Sequence, residues 1–369
     1  MKKILFLHGF FASGQCVPAL ALREAFEGKA EVLTPDLPMH PKEALEYIRR
    51  LCEQEKPDLL VGNSCGAFLA QMIVPVAGIP ALLGNPHLEM TEFLKPRMGK
   101  HEYKSPRKDG RQEFVIDEEL IREFEEVQKV QFDNCNPYWK DKVWGLFGEQ
   151  DTLAHYEPLF LEHYTSAFHF PGGHTPTAEE VKKWYAPLAE KMLMTIKRPV
   201  MMTERLILRQ VTEDDYDSLA AILQDEETMY AYEGAFSDEM TCEWLDRQIE
   251  RYHKWGYGLW AVISKEEDKM IGQCGLTNQD WNGRQVLEIG YLFNKKYWHH
   301  GYATEAAVAC KRYAFDKLHA NEVCCIIRDT NVPSQRVALR NGMIKSTEVM
   351  TKLYRGVYIP HYLYSINKD

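Results

Sequence analysis

Five residues, Gly62-Asn63-Ser64-Cys65-Gly66, separate the apolar run Leu59-Leu60-Val61 from the apolar run Ala67-Phe68-Leu69-Ala70. The first run reads as a buried strand and the second as the start of a helix, so the chain must turn sharply between them. The flanking glycines let neighbouring backbone approach without a Cβ clash. A strand feeding a helix through so tight a corner belongs to a parallel sheet covered by helices on both faces. The first half keeps that rhythm. Residues 4–7, 31–35, 59–62, 81–84, 143–147 and 167–170 read as strands, with helices such as 41–55 and 67–76 between them. Residues 87–142 break it with a basic run (Lys95, Arg97, Lys100, Lys104, Arg107, Lys108, Arg111) and an acidic helix over 117–128. The basic run reads as a solvated loop, with a mobile lid as the sharper alternative.

A chain of 369 residues exceeds what one core usually serves, about 250–300 residues, so two domains are expected. A helix over 177–196 closes the first, residues 1–196. Residues 197–202 form a linker, and 203–369 form the second domain. There Thr203–Arg209 alternates polar and apolar residues, as a half-buried strand does. Thr212 caps a helix rich in acid at Glu213, Asp214 and Asp215. A helix over 238–254, a hairpin of strands 257–264 and 270–276, a strand 286–293, a helix 303–318, a strand 322–328, a helix 334–340 and two terminal strands follow. The fold class is α/β: a mostly parallel sheet first, then an α+β domain on a mixed, mainly antiparallel sheet.

A net charge of −10 argues against nucleic-acid binding, which needs basic surface to displace counterions. No run of about 18 apolar residues is present, so no membrane span is expected. The start, Met1 to Gly9, resembles a signal peptide, but His8 interrupts its apolar run and it reads as a first strand. The nine cysteines are odd in number, scattered and free of any C-x-x-C pair. Free thiols in a reducing cytoplasm and no metal are the expectation.

A serine at such a corner is exposed for attack, with helix amides aimed at a developing oxyanion. It needs a base, and the base needs an orienting acid; in this arrangement they follow the serine in the order acid, then histidine. Gly148-Glu149-Gln150-Asp151 follows strand 143–147 and Gly172-Gly173-His174 follows the last strand. Ser64 is assigned as nucleophile, His174 as general base and Asp151 as its partner, with Glu149 as the alternative acid. The oxyanion donors are the amides of Cys65 and Phe10. His8 reads as structural, and His40, His87 and His169 as surface or packing residues. With Leu7-His8-Gly9-Phe10, Thr34-Pro35-Asp36-Leu37, Gly84-Asn85-Pro86 and Pro171–His174, these motifs resemble the YqiA/YcfP-type esterases of the α/β-hydrolase superfamily over residues 1–196. That resemblance implies hydrolysis of short acyl esters or thioesters without a metal.

In the second half, Tyr297-Trp298-His299-His300-Gly301-Tyr302-Ala303-Thr304-Glu305 joins a strand to a helix. A glycine turn opening a helix offers free amides to a diphosphate, or merely caps the helix. The wider pattern resembles the GNAT superfamily over residues 202–369, in its Rim-type branch of N-terminal acetyltransferases. Thr203–Arg209, Gly256–Val262, Ile271–Leu276, Glu288-Ile289-Gly290-Tyr291, the turn itself (with Trp298 through Ala303 on the Q/R-x-x-G-x-G/A pattern) and Asn331 through Gly342 carry it. The resemblance implies acetyl-CoA as co-substrate and an amine acceptor, either a peptide N-terminus or a small molecule. Phe293 main-chain groups would meet the pantetheine arm. Amides of His299, Gly301, Tyr302, Ala303 and Thr304 would meet the diphosphate, Asn331 would bond the pantetheine region, and Ser334 would lie near the thiol. Glu288 is the candidate base, acting through water, or else a cross-strand salt-bridge partner. The position seven after Asn331, where many relatives place a tyrosine acid, is Ala338, so Ser334 or water protonates the leaving thiolate. Glu305 reads as a complement to the helix dipole.

Three readings follow: a bifunctional enzyme, an active acetyltransferase carrying a non-catalytic hydrolase-fold binding or dimerisation module, or a nucleotide-binding regulator that binds coenzyme A without acetyl transfer. A homodimer is one option, and neither a nucleic-acid nor a membrane partner is expected.

Overall fold

Strands buried on both faces need no polar alternation, and the first six apolar runs find each other on that basis. In the computed structural model, residues 1–196, 198–232, 234–354 and 356–368 are described; Lys197 of the expected linker lies outside them. The chain separates into two units, Met1–Arg198 and Pro199–Asp369.

The first unit contains β1 (Lys2–Leu7), β2 (Ala30–Leu33), β3 (Leu59–Asn63), β4 (Ala81–Gly84), β5 (Gly99–Glu102), β6 (Glu113–Ile116), β7 (Val143–Gly148) and β8 (Ser166–Phe170). Its main sheet runs β2-β1-β3-β4-β7-β8, parallel throughout. Ile4, Phe6, Leu59, Val61, Leu82 and Leu146 pack into one fully buried cluster with Leu22, Tyr185 and Met192 from the covering helices. Burying this apolar surface stabilises the unit at about 25 cal/mol per Å². The closing helix widens at Val181–Tyr185, where Ala186 N–H reaches five residues back to Val181 O. Pro187 has no N–H to continue the ordinary ladder, which accounts for the wide turn.

The basic run is largely exposed, as a solvated segment is, but it is not without structure: Lys95 and Arg97 precede an antiparallel hairpin, β5 on β6, Lys100 lies in β5, and the other four lie in the connection between the strands. Arg107 is buried along most of its side chain, with Nη1 donating to Leu37 O at 3.2 Å and the guanidinium 4.7 Å over the Tyr103 ring. Aromatic side chains explain the docking. Phe114 of β6 packs on Phe10 and Phe11 at 5.8 and 5.5 Å, and Lys104 N–H donates to Phe11 O at 2.8 Å.

The second unit contains β9 (Met201–Met202), β10 (Leu206–Arg209), β11 (Leu259–Ser264), β12 (Lys269–Trp281), β13 (Arg284–Phe293), β14 (Glu322–Arg328), β15 (Ile344–Tyr354) and β16 (Val357–Asn367). They form one sheet in the order β15-β16-β14-β13-β12-β11-β10-β9. Every neighbouring pair is antiparallel except β13 and β14. That parallel pair meets at one position, Glu288 opposite Cys324, and then diverges. Helix Tyr302–Asp316 covers one face through Ala306, Ala307, Cys310 and Ala314, all fully buried. Cys324 and Cys325 are buried free thiols, as are Cys274 and Cys310.

Candidate active sites

In a parallel sheet, functional loops gather at the carboxyl ends of the strands. Ser64 follows β3, Asn85 follows β4, Asp151 lies in the loop after β7 and His174 in the loop after β8. Ser64 has φ 55° and ψ −119°, a strained conformation that lifts its hydroxyl out of the turn. The flanking glycines are required by space. A Cβ on Gly62 would lie 2.5 Å from Gly66 O, and one on Gly66 would lie 2.0 Å from Leu7 O.

Ser64 Oγ is 2.8 Å from His174 Nε2, and His174 Nδ1 is 2.8 Å from Asp151 Oδ2. The sheet thus brings together three residues spread over 110 positions. Asp151 Oδ1 accepts two further bonds, from the N–H groups of Leu153 at 2.7 Å and Ala154 at 3.1 Å. Burial works to raise the Asp151 carboxyl, but these bonds and His174 together hold it below its ordinary value. The acid is therefore anionic and accepts the proton on Nδ1, which leaves Nε2 to act as an acceptor from Ser64. The alternative acid, Glu149, is exposed, and its own N–H is spent on Phe170 O.

Cys65 opens helix Cys65–Ala77, so its N–H has no carbonyl four residues back. The loop carrying Phe10 passes over the serine, with Gly9 close enough that a methyl there would touch Ser64 Cβ at 3.5 Å. His8 fixes that loop. Its Nε2 accepts from Leu37 N–H at 2.9 Å, so Nδ1 carries the proton and donates to Gly9 O at 2.9 Å. Burial pushes the His8 imidazole down to about 4, so it stays neutral. Cys65 is buried, and burial pushes its thiol up to about 12, which leaves it inert beside the serine.

Two residues of this site were given no role in it by the sequence, although Asn85 stands in the Gly84-Asn85-Pro86 motif. Asn85 is buried with φ 41°; its Oδ1 accepts from Gly148 N–H at 2.6 Å, and its Nδ2 donates to Gly173 O and His174 O, each at 2.9 Å. One side chain therefore ties the acid loop to the histidine loop. The available signal was a polar residue tolerant of positive φ directly after a buried strand. His87 was read as a surface or packing residue. It is buried, packs on Phe93 and Tyr156 at 4.7 and 4.9 Å, and lies edge-on to the His174 ring at 6.4 Å. Burial pushes His87 down to about 4 as well.

In the second unit, Asn294 N–H bonds Ile271 O on β12. Main-chain groups alternate sides along a strand, so those of Phe293 face the gap left by β14. The Phe293 carbonyl is already engaged there, accepting from Trp298 Nε1 at 2.8 Å; its N–H is the group left for a ligand. His299 and Gly301 have positive φ, 67° and 83°. Glu305 N–H is the first to close onto Gly301 O, so the amides of Tyr302, Ala303 and Thr304 have no partner within the helix. Asn331 caps helix Val332–Arg340; its Oδ1 accepts from Ser334 N–H at 3.2 Å and from Tyr230 Oη at 2.8 Å. Ser334 O accepts from Tyr291 Oη at 2.7 Å, which binds that helix to β13. A diverging strand pair and free first-turn amides fit an extended thioester with a diphosphate at one end.

Glu288 stands at the mouth of the gap. Its carboxylate accepts from Thr277 Oγ1 at 3.2 Å and from Ile326 N–H at 3.3 Å, without an ion pair among the described residues. It is not the cross-strand salt bridge that its position suggested. Burial raises its pKa, against smaller opposing effects of Lys352, these bonds and Arg251. Ala338 is fully buried, so no side chain there reaches the gap. Glu305 does more than complement the dipole: it binds Thr203 Oγ1 and Arg205. Among the described residues no cluster of His, Cys, Asp and Glu is arranged to hold a metal. No helix among them is long and apolar enough to cross a membrane.

Residues 3–165 match the family described as Uncharacterised protein family (UPF0227), and residues 205–344 match the family described as Acetyltransferase (GNAT) domain. The chain is 33% identical over 144 residues to the Uncharacterized protein YkkB of Bacillus subtilis (strain 168), covering 39% of this chain and 84% of YkkB. It is 31% identical over 174 residues to the Uncharacterized N-acetyltransferase p20 of Bacillus licheniformis, covering 46% of this chain and 96% of p20. Among solved structures, an acetyltransferase (GNAT family) from Bacillus anthracis aligns at 26% identity and a TM-score of 0.39, over 45% of this chain and 97% of that one.

Proposed function

We propose two separate chemistries for this chain, which belongs to the GNAT acetyltransferases in its C-terminal half and to UPF0227 in its N-terminal half. The first is hydrolysis of short acyl esters or thioesters at Ser64. The second is transfer of an acetyl group from acetyl-CoA to a primary amine. The observation that carries the first is the unbroken row Ser64, His174 and Asp151, with 2.8 Å at each step.

Ser64 Oγ attacks the acyl carbon as His174 Nε2 takes its proton. The amides of Cys65 and Phe10 receive the negative charge that builds on the carbonyl oxygen. His174 then gives the proton to the departing alcohol or thiol, and a water molecule releases the acid by the same steps in reverse. Asp151 keeps the imidazole in the one tautomer and stabilises its cation.

In the C-terminal half, acetyl-CoA would supply an activated acetyl group. The amides at Tyr302, Ala303 and Thr304 and the Phe293 N–H would hold its two ends. Glu288 takes a proton from the acceptor amine through water as the nitrogen attacks the thioester carbon. The proton on the departing sulfur comes from Ser334 or water. The nine free cysteines suit a reducing, cytoplasmic setting.

Turnover of p-nitrophenyl acetate and butyrate, with Ser64→Ala beside the parent, tests the first chemistry; equal rates in both proteins would refute it. Labelled acetyl-CoA offered to panels of small amines and peptide N-termini tests the second. Ser64→Ala is expected to leave acetyl transfer intact.

A further inference from the structure

We infer that Arg205 sets the charge and the orientation of the anion cradle at residues 301–304, by cancelling Glu305 and turning the Gly301 amide outward. The inference rests on the reading above, that this cradle receives the diphosphate of acetyl-CoA. Its starting point is a conflict. Glu305 lies in the first turn of helix Tyr302–Asp316. A carboxylate there suits the helix dipole, but it repels a second anion brought to the same helix end.

The structure resolves the conflict from the neighbouring strand. The Glu305 carboxylate accepts from Thr203 Oγ1 at 2.6 Å, from Arg205 N–H at 2.9 Å and from Arg205 Nε at 2.7 Å. Arg205 Nη2 adds an ion pair at 2.6 Å. Nε and Nη2 thus converge on one oxygen, Oε2, while Oε1 takes the Thr203 hydroxyl and the Arg205 main-chain N–H, so both oxygens of the carboxylate are engaged. The same guanidinium has a further donor. Nη1 donates to His300 O at 3.0 Å, and the group lies 4.6 Å over the Tyr302 ring.

The bond to His300 O has a geometric consequence. In a trans peptide the C=O and the following N–H point in opposite directions. Holding the His300 carbonyl toward Arg205 therefore turns the Gly301 N–H away from it, to the side where the Tyr302, Ala303 and Thr304 amides are free. Gly301 takes φ 83° to allow this, and a Cβ there would lie 3.6 Å from Arg205 Nη2. Arg205 acts through Glu305 and the turn, and is a positioning residue.

Calorimetric titration of the full-length protein tests this, with coenzyme A and with pantetheine, which lacks the diphosphate. Arg205→Gln is expected to weaken coenzyme A binding about tenfold or more and to leave pantetheine binding unchanged. Arg205→Gln combined with Glu305→Gln removes the stranded charge and should recover a large part of the loss. Arg205→Lys keeps the charge without the paired Nε and Nη2 donors, and is expected to fall between the parent and Arg205→Gln; it carries the test if the glutamine variant does not fold. Parental affinity in Arg205→Gln, equal loss of both ligands, or no recovery in the double variant overturns the inference while leaving the acetyl-CoA reading in place. A parent protein that binds no coenzyme A sinks that reading itself.

Discussion

Replacing Asn85 removes a side chain from outside both loops that hydrogen-bonds to the Asp151 loop and to the His174 loop at once. Asn85→Ala deletes three hydrogen bonds, to Gly148 N–H, Gly173 O and His174 O. At about 1 kcal/mol net for each bond, the local loss is about 3 kcal/mol. The backbone adds to it: with φ 41° at this position, an alanine costs about 1 kcal/mol, whereas asparagine tolerates the left-handed region. The sum, about 4 kcal/mol, corresponds to a roughly thousandfold rise in local opening. Hydrogen–deuterium exchange read on peptides spanning Gly148 measures it directly, because that amide donates to Asn85. Ester hydrolysis supplies a second readout: a displacement of the His174 loop by about 1 Å should lower kcat/KM about a hundredfold, mostly in kcat. Asn85→Asp keeps an acceptor for Gly148 N–H but faces two carbonyls with a carboxylate, so it should restore part of the Gly148 protection and little of the rate. Unchanged exchange at Gly148 with parental kcat in Asn85→Ala would refute the idea that this residue joins the loops.

Other consequences follow from named groups. The raised carboxyl of Glu288 means the fold holds its proton at pH values where the unfolded chain has lost it. Its stability contribution is full below the ordinary carboxylate range and is lost as pH rises through the raised value, so Glu288→Gln should stabilise the protein at neutral pH and not in acid. The same variant should flatten the rise of acetyl-transfer kcat/KM with pH. His8 shows the opposite sign: pushed down from 6.5 to about 4, its neutral form contributes stability above about 6.5 that is lost as pH falls toward 4. His8→Gln should lessen that acid slope in a denaturation series. The Arg209–Asp215 ion pair, bidentate at 2.7 Å on both prongs, leaves a buried carboxylate behind in Arg209→Ala; an unfolding cost of about 3 kcal/mol is expected in chemical denaturation.

The elbow was legible because tight geometry demands specific residue types: glycine on both sides of a serine between apolar runs admits few folds. Helix Pro41–Glu55 and strands β14 and β16 were equally plain from periodicity and strand-forming residues. The hairpin of β5 and β6 was not. Its exposed strands carry charged residues, and what holds it is contact with Phe10 and Phe11, roughly a hundred positions earlier in the chain. Asn85 and Arg205 were passed over for a related reason. Each acts through backbone groups brought close only by folding, and a single sequence carries no local pattern for that. Glu288 was found by position, with a salt bridge as the alternative; its observed partner Ile326 N–H had no local signal, because only the divergence of β13 from β14 frees that amide to meet it.

The contact of that hairpin with Phe10 and Phe11 links two properties usually treated as separate. Were a bulky ester at Ser64 to displace the hairpin, the Phe10 amide would be pulled along with it through these ring contacts. Chain length would then register in turnover more than in apparent affinity, since a bulky acyl group would loosen the donor that stabilises its own transition state. Length discrimination at Ser64, under the proposed hydrolysis, would come less from a wall that excludes than from a lever that disarms.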